Sequence, residues 1–286
     1  MTTMLPIDKI IANVDKLPSL PTSVAKVMEV ANNLKASPND LSNVIKVDPV
    51  LTAKVLKLIN SAYFSLPDQI TNLNRAIILL GVNTIKNLAI STAVIGQFSK
   101  TKHKLFDMDK YWKHCMAVGV MCKKFSEKMG VDRRFREEYF IAGLLHDIGE
   151  IVIVEIFPDK LEQIAPRIQA GATLEEAERD ILGATHAEIG AALGRHWKIS
   201  DNLVAVIEEH HDPQIAGEHA QLVLSVYVSN IICNQNAYGM PGGSAAPAAP
   251  EIMAKLGIDE ATITETLGHL EEELNKAMSF LKTAGG

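Results

Sequence analysis

Apolar residues recur at three- and four-residue intervals along nearly the whole chain, and no long stretch alternates apolar with polar as a half-buried strand would. That periodicity commits the chain to an all-α fold. The punctuation between the periodic stretches agrees. Pro18 and Pro21 precede a first helix carrying Val24, Val27, Met28 and Ala31. Ser37-Pro38-Asn39-Asp40 is a helix start, with a Ser cap, Pro in the first turn and an acid at the third position. Asp48-Pro49 repeats the device and opens a helix through Leu51, Val55, Leu58 and Ile59, which Leu66-Pro67-Asp68 breaks. Thr71 or Asn72 caps a short helix ending at Gly81, and Asn83 starts another reaching about Gln97. After a polar break at Ser99–Lys104, helices are expected over about 107–128, 137–156, 159–169, 173–182, 185–197, 201–211 and 218–235. The 137–156 stretch is apolar on nearly every face between Tyr139 and Ile148, which places it at the centre of its domain.

Charge divides the chain in the same place. Residues 1–100 carry 10 Lys/Arg against 6 Asp/Glu, whereas 101–286 carry 18 against 28. A mildly basic first part and an acidic second part suggest two units with different surfaces. The expected organisation is an N-terminal helical subdomain at 1–100, a second helical subdomain at 101–236, a Gly/Pro/Ala linker at 237–250 and a helical tail at 251–286. That tail is amphipathic and could dock on its own domain or on a second copy. A net charge of −6 argues against unspecific binding to nucleic acid or anionic membrane. Cys115, Cys122 and Cys233 have no CxxC spacing and read as small core residues in a reducing compartment. The opening MTTMLPIDKI lacks the pattern of a signal peptide, and no apolar run reaches membrane-spanning length. A cytoplasmic location follows as the expectation.

The histidines carry the chemistry. His146-Asp147 lies inside Leu144-Leu145-His146-Asp147-Ile148-Gly149, where an imidazole beside a carboxylate needs partners. His114 shares a stripe with Tyr111, Val118, Met121 and Phe125, and His186 heads one with Ile189, Gly190, Leu193 and Trp197. His210 and His211 continue the face set by Leu203, Val204 and Ile207. One histidine on an apolar face is ordinarily a hydrogen-bonded core residue. Five from four helices shift the balance to a polar pocket or a metal site, since imidazole and carboxylate both suit Fe, Mn or Zn. His103, His196, His219 and His269 fall off the apolar faces and read as surface residues.

The order His114, His146-Asp147, His186, His210-His211 resembles the HD superfamily in its HD-GYP-related form. Leu17-Pro18-Ser19-Leu20-Pro21, Asp48-Pro49-Val50-Leu51-Thr52, Asn60-Ser61-Ala62-Tyr63-Phe64 and Ala76-Ile77-Ile78-Leu79-Leu80-Gly81 are similar to the N-terminal half of HDOD proteins. Trp112-Lys113-His114, Gly143–Gly149 and Gly183-Ala184-Thr185-His186 are similar to the second half. The resemblance covers about Leu17 to Asn234. It implies an N-terminal bundle packed on an HD-like helical domain. It also implies His114, His146, Asp147, His186, His210 and His211 as ligands to a divalent metal (Fe, Mn, Zn or Mg).

Departures from the hydrolase pattern point away from turnover. Where HD enzymes end their ligand set with Asp, Tyr227-Val228-Ser229-Asn230-Ile231 offers Ser229 or Asn230. Where HD-GYP enzymes follow the HDIG motif with Lys, Glu150 stands, a charge that would repel phosphate. The GYP signature is replaced by Asp212-Pro213-Gln214-Ile215-Ala216-Gly217. The expected function is a non-enzymatic regulatory module contacting signalling proteins, with room for a homo-oligomer. The alternative is a metal-dependent phosphohydrolase acting on a nucleotide or phosphoester. Residues 75–97 could imitate a helix-turn-helix around Gly81, but Ile85, Leu88, Ala89 and Val94 suit a core better and the basic stripe of a DNA reader is thin. Lys54, Lys57, Arg75 and Lys86 read as a solvated basic face, and Leu174–Asp180 as an exposed helix face.

Overall fold

The computed structural model describes residues 19–285 except 34, 99–100 and 244–245. The expectations resting on residues 1–18, on Ser99 and on Ser244 lie outside the described residues. Among the described residues there is no strand, only an isolated bridge between His103 and Phe106.

Five helices build the first part: α1 (Thr22–Asn32), α2 (Pro38–Lys46), α3 (Pro49–Ile59), α4 (Leu73–Leu80) and α5 (Val82–Phe98). Their starts are chemically determined. Ser37 and Asp40 close a reciprocal capping box, Asp48 accepts the amide of Leu51, and Asn72 accepts those of Asn74 and Arg75. Gly81, at φ +88, turns α4 sharply into α5, a change of direction of 115°. Thr84, Lys86 and Asn87 on α5 are buried, so the helix-turn-helix imitation presents no exposed reading face. The expected basic face is likewise dispersed: Lys86 donates to Asn32 Oδ1, and half-buried Lys54 donates to the carbonyl of Ala284. No single helix among the described residues is long and apolar enough to cross a membrane.

The second part runs through α6 (Met108–Lys128), α7 (Arg133–Leu145), α8 (Ile148–Ile156), α9 (Pro158–Gln169), α10 (Leu174–Leu182), α11 (His186–His196), α12 (Asp201–Glu209) and α13 (Ala220–Asn234). The single helix expected over 137–156 is therefore two, with His146 and Asp147 in the break. The break has a consequence for chemistry. Neighbours on a continuous helix point about 100° apart, whereas here both side chains turn to one interior point.

Two close helix crossings position that point. A Cβ on Gly143 of α7 would lie 2.6 Å from the backbone of Gly119 on α6. A Cβ on Gly149 of α8 would lie 1.9 Å from the carbonyl oxygen of His186 at the start of α11. Only glycine lets these backbones approach so far, and the approach delivers His114, His146, Asp147 and His186 to one place.

The chain after α13 returns onto this domain instead of leaving it as a free linker. Met240 donates its amide to Asn234 Oδ1, and Gly242 accepts the amide of Leu174. A short α14 (Pro250–Leu256) leads to α15 (Glu260–Gly285), which packs along α6, α5 and α3 of its own chain. Phe280 on α15 is fully buried against Tyr63 and Phe140, so the tail closes the seam between the two parts.

Candidate metal centre

Asp147 is the hub. Its carboxylate is nearly enclosed, and each oxygen faces two imidazoles. Oδ2 lies 3.4 Å from His114 Nε2 and 3.0 Å from His146 Nε2. Oδ1 lies 3.5 Å from His186 Nε2 and 3.2 Å from His210 Nε2. His211 joins through Nε2, 3.0 Å from that of His186. All six residues singled out in the sequence thus converge, in two groups that share Asp147: His114 and His146 on one side, His186, His210 and His211 on the other.

The other ring nitrogen fixes what each imidazole can do. Nδ1 of His114 lies 2.7 Å from the carbonyl of Tyr238, and Nδ1 of His146 lies 2.7 Å from that of Gly143. Nδ1 of His210 faces the carbonyl of Ile207 at 3.0 Å. A carbonyl only accepts, so each Nδ1 carries a proton and each Nε2 turns inward. His186 Nδ1 is held by the carboxylate of Glu178 at 2.7 Å, which also accepts the backbone amide of His186. His211 Nδ1 lies 3.6 Å from Glu175. Anchoring one nitrogen on an acceptor while the other faces a common centre is how metal-binding histidines are oriented.

The electrostatics follow from burial. Burial pushes His146 down to about 4, against the pull of Asp147. Burial also acts to lower His186, but the carboxylate of Glu178 outweighs it and raises His186 to about 10. His211 is lowered by burial and by the neighbouring histidines. Burial acts to raise Asp147, yet the surrounding imidazoles, His146 first, hold it well below the carboxylate range. Glu150, buried and facing Asp147, is raised well above it.

These residues fit a divalent cation. His146 Nε2 is fully buried and has no hydrogen-bond partner, which leaves a nitrogen lone pair that a metal would satisfy. The donor atoms of each group lie within 4.8 Å of one another, and the set is imidazole plus carboxylate.

A cleft of about 240 Å³ opens on the cluster. Of the two candidates Ser229 and Asn230, it is Asn230 that reaches it. Asn230 lines the cleft and accepts from Asn234, while Ser229 is fully buried with an unpartnered hydroxyl away from it. Glu178 corrects the reading of 174–180 as an exposed face: it is 1% exposed and holds His186. Its signal was present, since Glu178 shares a stripe with Ile181 and Leu182. Tyr238 acts through its carbonyl, and a backbone group leaves no trace in sequence.

An all-helical bundle docked on a helical domain with a histidine–aspartate centre defines an HD-type protein with an added N-terminal lobe. The chain belongs to the HDOD family: residues 17–213 match the HDOD domain. It is 26% identical over 221 residues to an uncharacterized protein of Treponema pallidum, a match covering 76% of this chain and 42% of that protein. Among solved structures, a presumed phosphohydrolase of Shewanella amazonensis is 29% identical with a TM-score of 0.70, over 96% of each chain. An HDOD domain protein of Geobacter sulfurreducens shares the fold at 22% identity and a TM-score of 0.75, over 94% of this chain and 97% of that one. A presumed signal transduction protein of Marinobacter aquaeolei does so at 21% and 0.76, over 95% of this chain and 60% of that one.

Proposed function

We propose that this chain is a metal-holding regulatory module of bacterial signal transduction, working in the cytoplasm through contacts with signalling proteins and not by turnover. The observation that carries the reading is Asn230. A neutral amide lines the cleft on the helix where the hydrolases place their last carboxylate ligand, and Glu150, where they carry lysine, lines the same cleft. His114, His146 and Asp147 would hold a cation on one side, and His186, His210 and His211 with Asp147 on the other. Bound there, a divalent ion would supply fixed positive charge and Lewis acidity. The chain's own residues hold the imidazoles through Nδ1 and keep the Nε2 atoms turned inward.

Elemental analysis by plasma mass spectrometry on tag-free protein, purified without chelator, tests the centre. Metal near one equivalent or above, lost in His146→Ala, is the expected result. Its absence from folded protein would make the histidines core hydrogen-bonding residues. Phosphatase turnover with added Mn or Fe tests the rest, and activity abolished by His146→Ala would overturn the regulatory reading.

A second reading, a metal-dependent phosphohydrolase for a nucleotide or phosphoester, is favoured by one observation: all six cluster residues converge, with His114, His146, His186 and His210 anchored through Nδ1. Asn230→Asp restores the missing charge. Turnover appearing in that variant alone would place the chain near the enzymes but outside them.

A further inference from the structure

A second pocket of about 600 Å³, open on one side, lies beside the histidine cleft, between α8, α9, α10 and the loop at 103–107. Ile153, Leu161, Ile164, Ala165, Ile168 and Leu174 form its walls. This size with an apolar lining is that of a small-molecule site. Leu105, 48% exposed, extends the apolar lining to the mouth.

The inner end is polar. Glu150 borders both this cavity and the histidine cleft, is 6% exposed, and no described group hydrogen-bonds its carboxyl. A buried carboxyl without a partner is costly, and a donor arriving with a ligand would recover that cost. The cations are on the exposed side: Lys110 is exposed, and exposed Lys104 is paired with Glu162 at 2.6 Å. A lone carboxyl under aliphatic walls, with no described lysine beside it, selects a small hydrogen-bonding head at the buried end of an apolar molecule.

We propose that this cavity binds a small amphiphile, its aliphatic or ring body against Ile153, Leu161, Ile164 and Ile168 and a single donating head, an amine or hydroxyl, on Glu150. The occupant lies next to the metal centre, since Glu178 borders the cavity and holds His186. The site therefore offers a route for a small-molecule input, yet it stands whether or not metal is bound.

Titration calorimetry on the full chain with decylamine, decanol and decanoate, each below its micelle concentration, tests the inference. Saturable one-to-one binding of the amine and the alcohol is expected. Ala165→Trp fills the cavity and Ile168→Asp charges its wall, and each should weaken both ligands by roughly tenfold or more. Glu150→Gln should weaken the amine by roughly tenfold and spare the alcohol within about twofold. Decanoate binding as tightly as decylamine would put the head at Lys110 and overturn the assignment. So would the absence of saturable binding, or unchanged binding in Ala165→Trp and Ile168→Asp that keep native circular dichroism. Metal content, measured on the same samples, separates the two readings. No decyl binding by wild-type protein that retains metal speaks against the cavity alone, and metal absent with decyl binding intact speaks against the centre alone.

Discussion

Glu178 shows how much of the centre depends on a residue that would touch no metal. Its carboxylate takes both the Nδ1 proton and the backbone amide of His186, so it sets the ring's tautomer, its orientation and its proton affinity at once. Glu178→Gln keeps the size and removes the charge. The metal affinity of the variant should fall by roughly 10- to 100-fold, the usual cost of losing an outer partner. Chelator competition against wild type measures this, and an unchanged affinity would show that His186 stands outside the ligand set. The six inward residues were legible from their stripes because burial and periodicity are properties of each helix by itself. What orients them was not. Glu178 lay hidden in a run of charges read as solvated, and the carbonyls of Tyr238, Gly143 and Ile207 belong to any residue type.

At the scale of elements, the centre exists because helices stop and cross where they do. The turn at His146-Asp147 lets consecutive side chains share a target, and the Gly149 approach sets α8 against the first turn of α11. Gly149→Ala would place a methyl 1.9 Å from the His186 carbonyl oxygen, a backbone atom that has no rotamer to escape into. The two helices must separate. A loss of about 3 kcal/mol is expected, at the upper end for overpacking, together with loss of metal because Asp147 and His186 part. Urea unfolding with metal analysis checks both, and a variant as stable as wild type would show that α11 yields freely. Helix starts were readable from Ser37, Asp48 and Asn72, whose side chains satisfy amides within three residues. The break inside 137–156 was not readable, because Leu144 through Ile148 continues a helical apolar pattern without Gly or Pro at the break itself. It is stabilised by contacts of the two flanking helices to α6, the preceding helix, and to α11, farther along the chain.

Across the whole molecule, the two parts are joined by a seam that no local pattern announces. Tyr63, from the first part, donates to Glu137 at 3.1 Å, and Lys123 donates to Tyr63 at 3.0 Å while pairing with Glu137. The tail helix closes over it with Phe280, and Lys54 of α3 holds the carbonyl of Ala284 near its end. A seam so closed predicts that the two parts unfold together, and the thiols report it. Cys115 and Cys122 on α6 and Cys233 on α13 are all fully buried, and burial pushes Cys122 up to about 12. A raised value means that the fold favours the neutral thiol. Its contribution is complete below about 8.5, the value in the unfolded chain, and is lost as pH climbs toward 12. Burial raises Cys115, Cys233, Tyr63, Tyr111 and Tyr139 in the same direction, so stability should decline steadily above about pH 9. At pH 8 all three cysteines should alkylate at one common rate, and that rate should accelerate with urea in step with loss of helical circular dichroism. If Cys115 and Cys122 react well before the circular dichroism changes, the helices around α6 open on their own and the seam does not bind the parts into one unit.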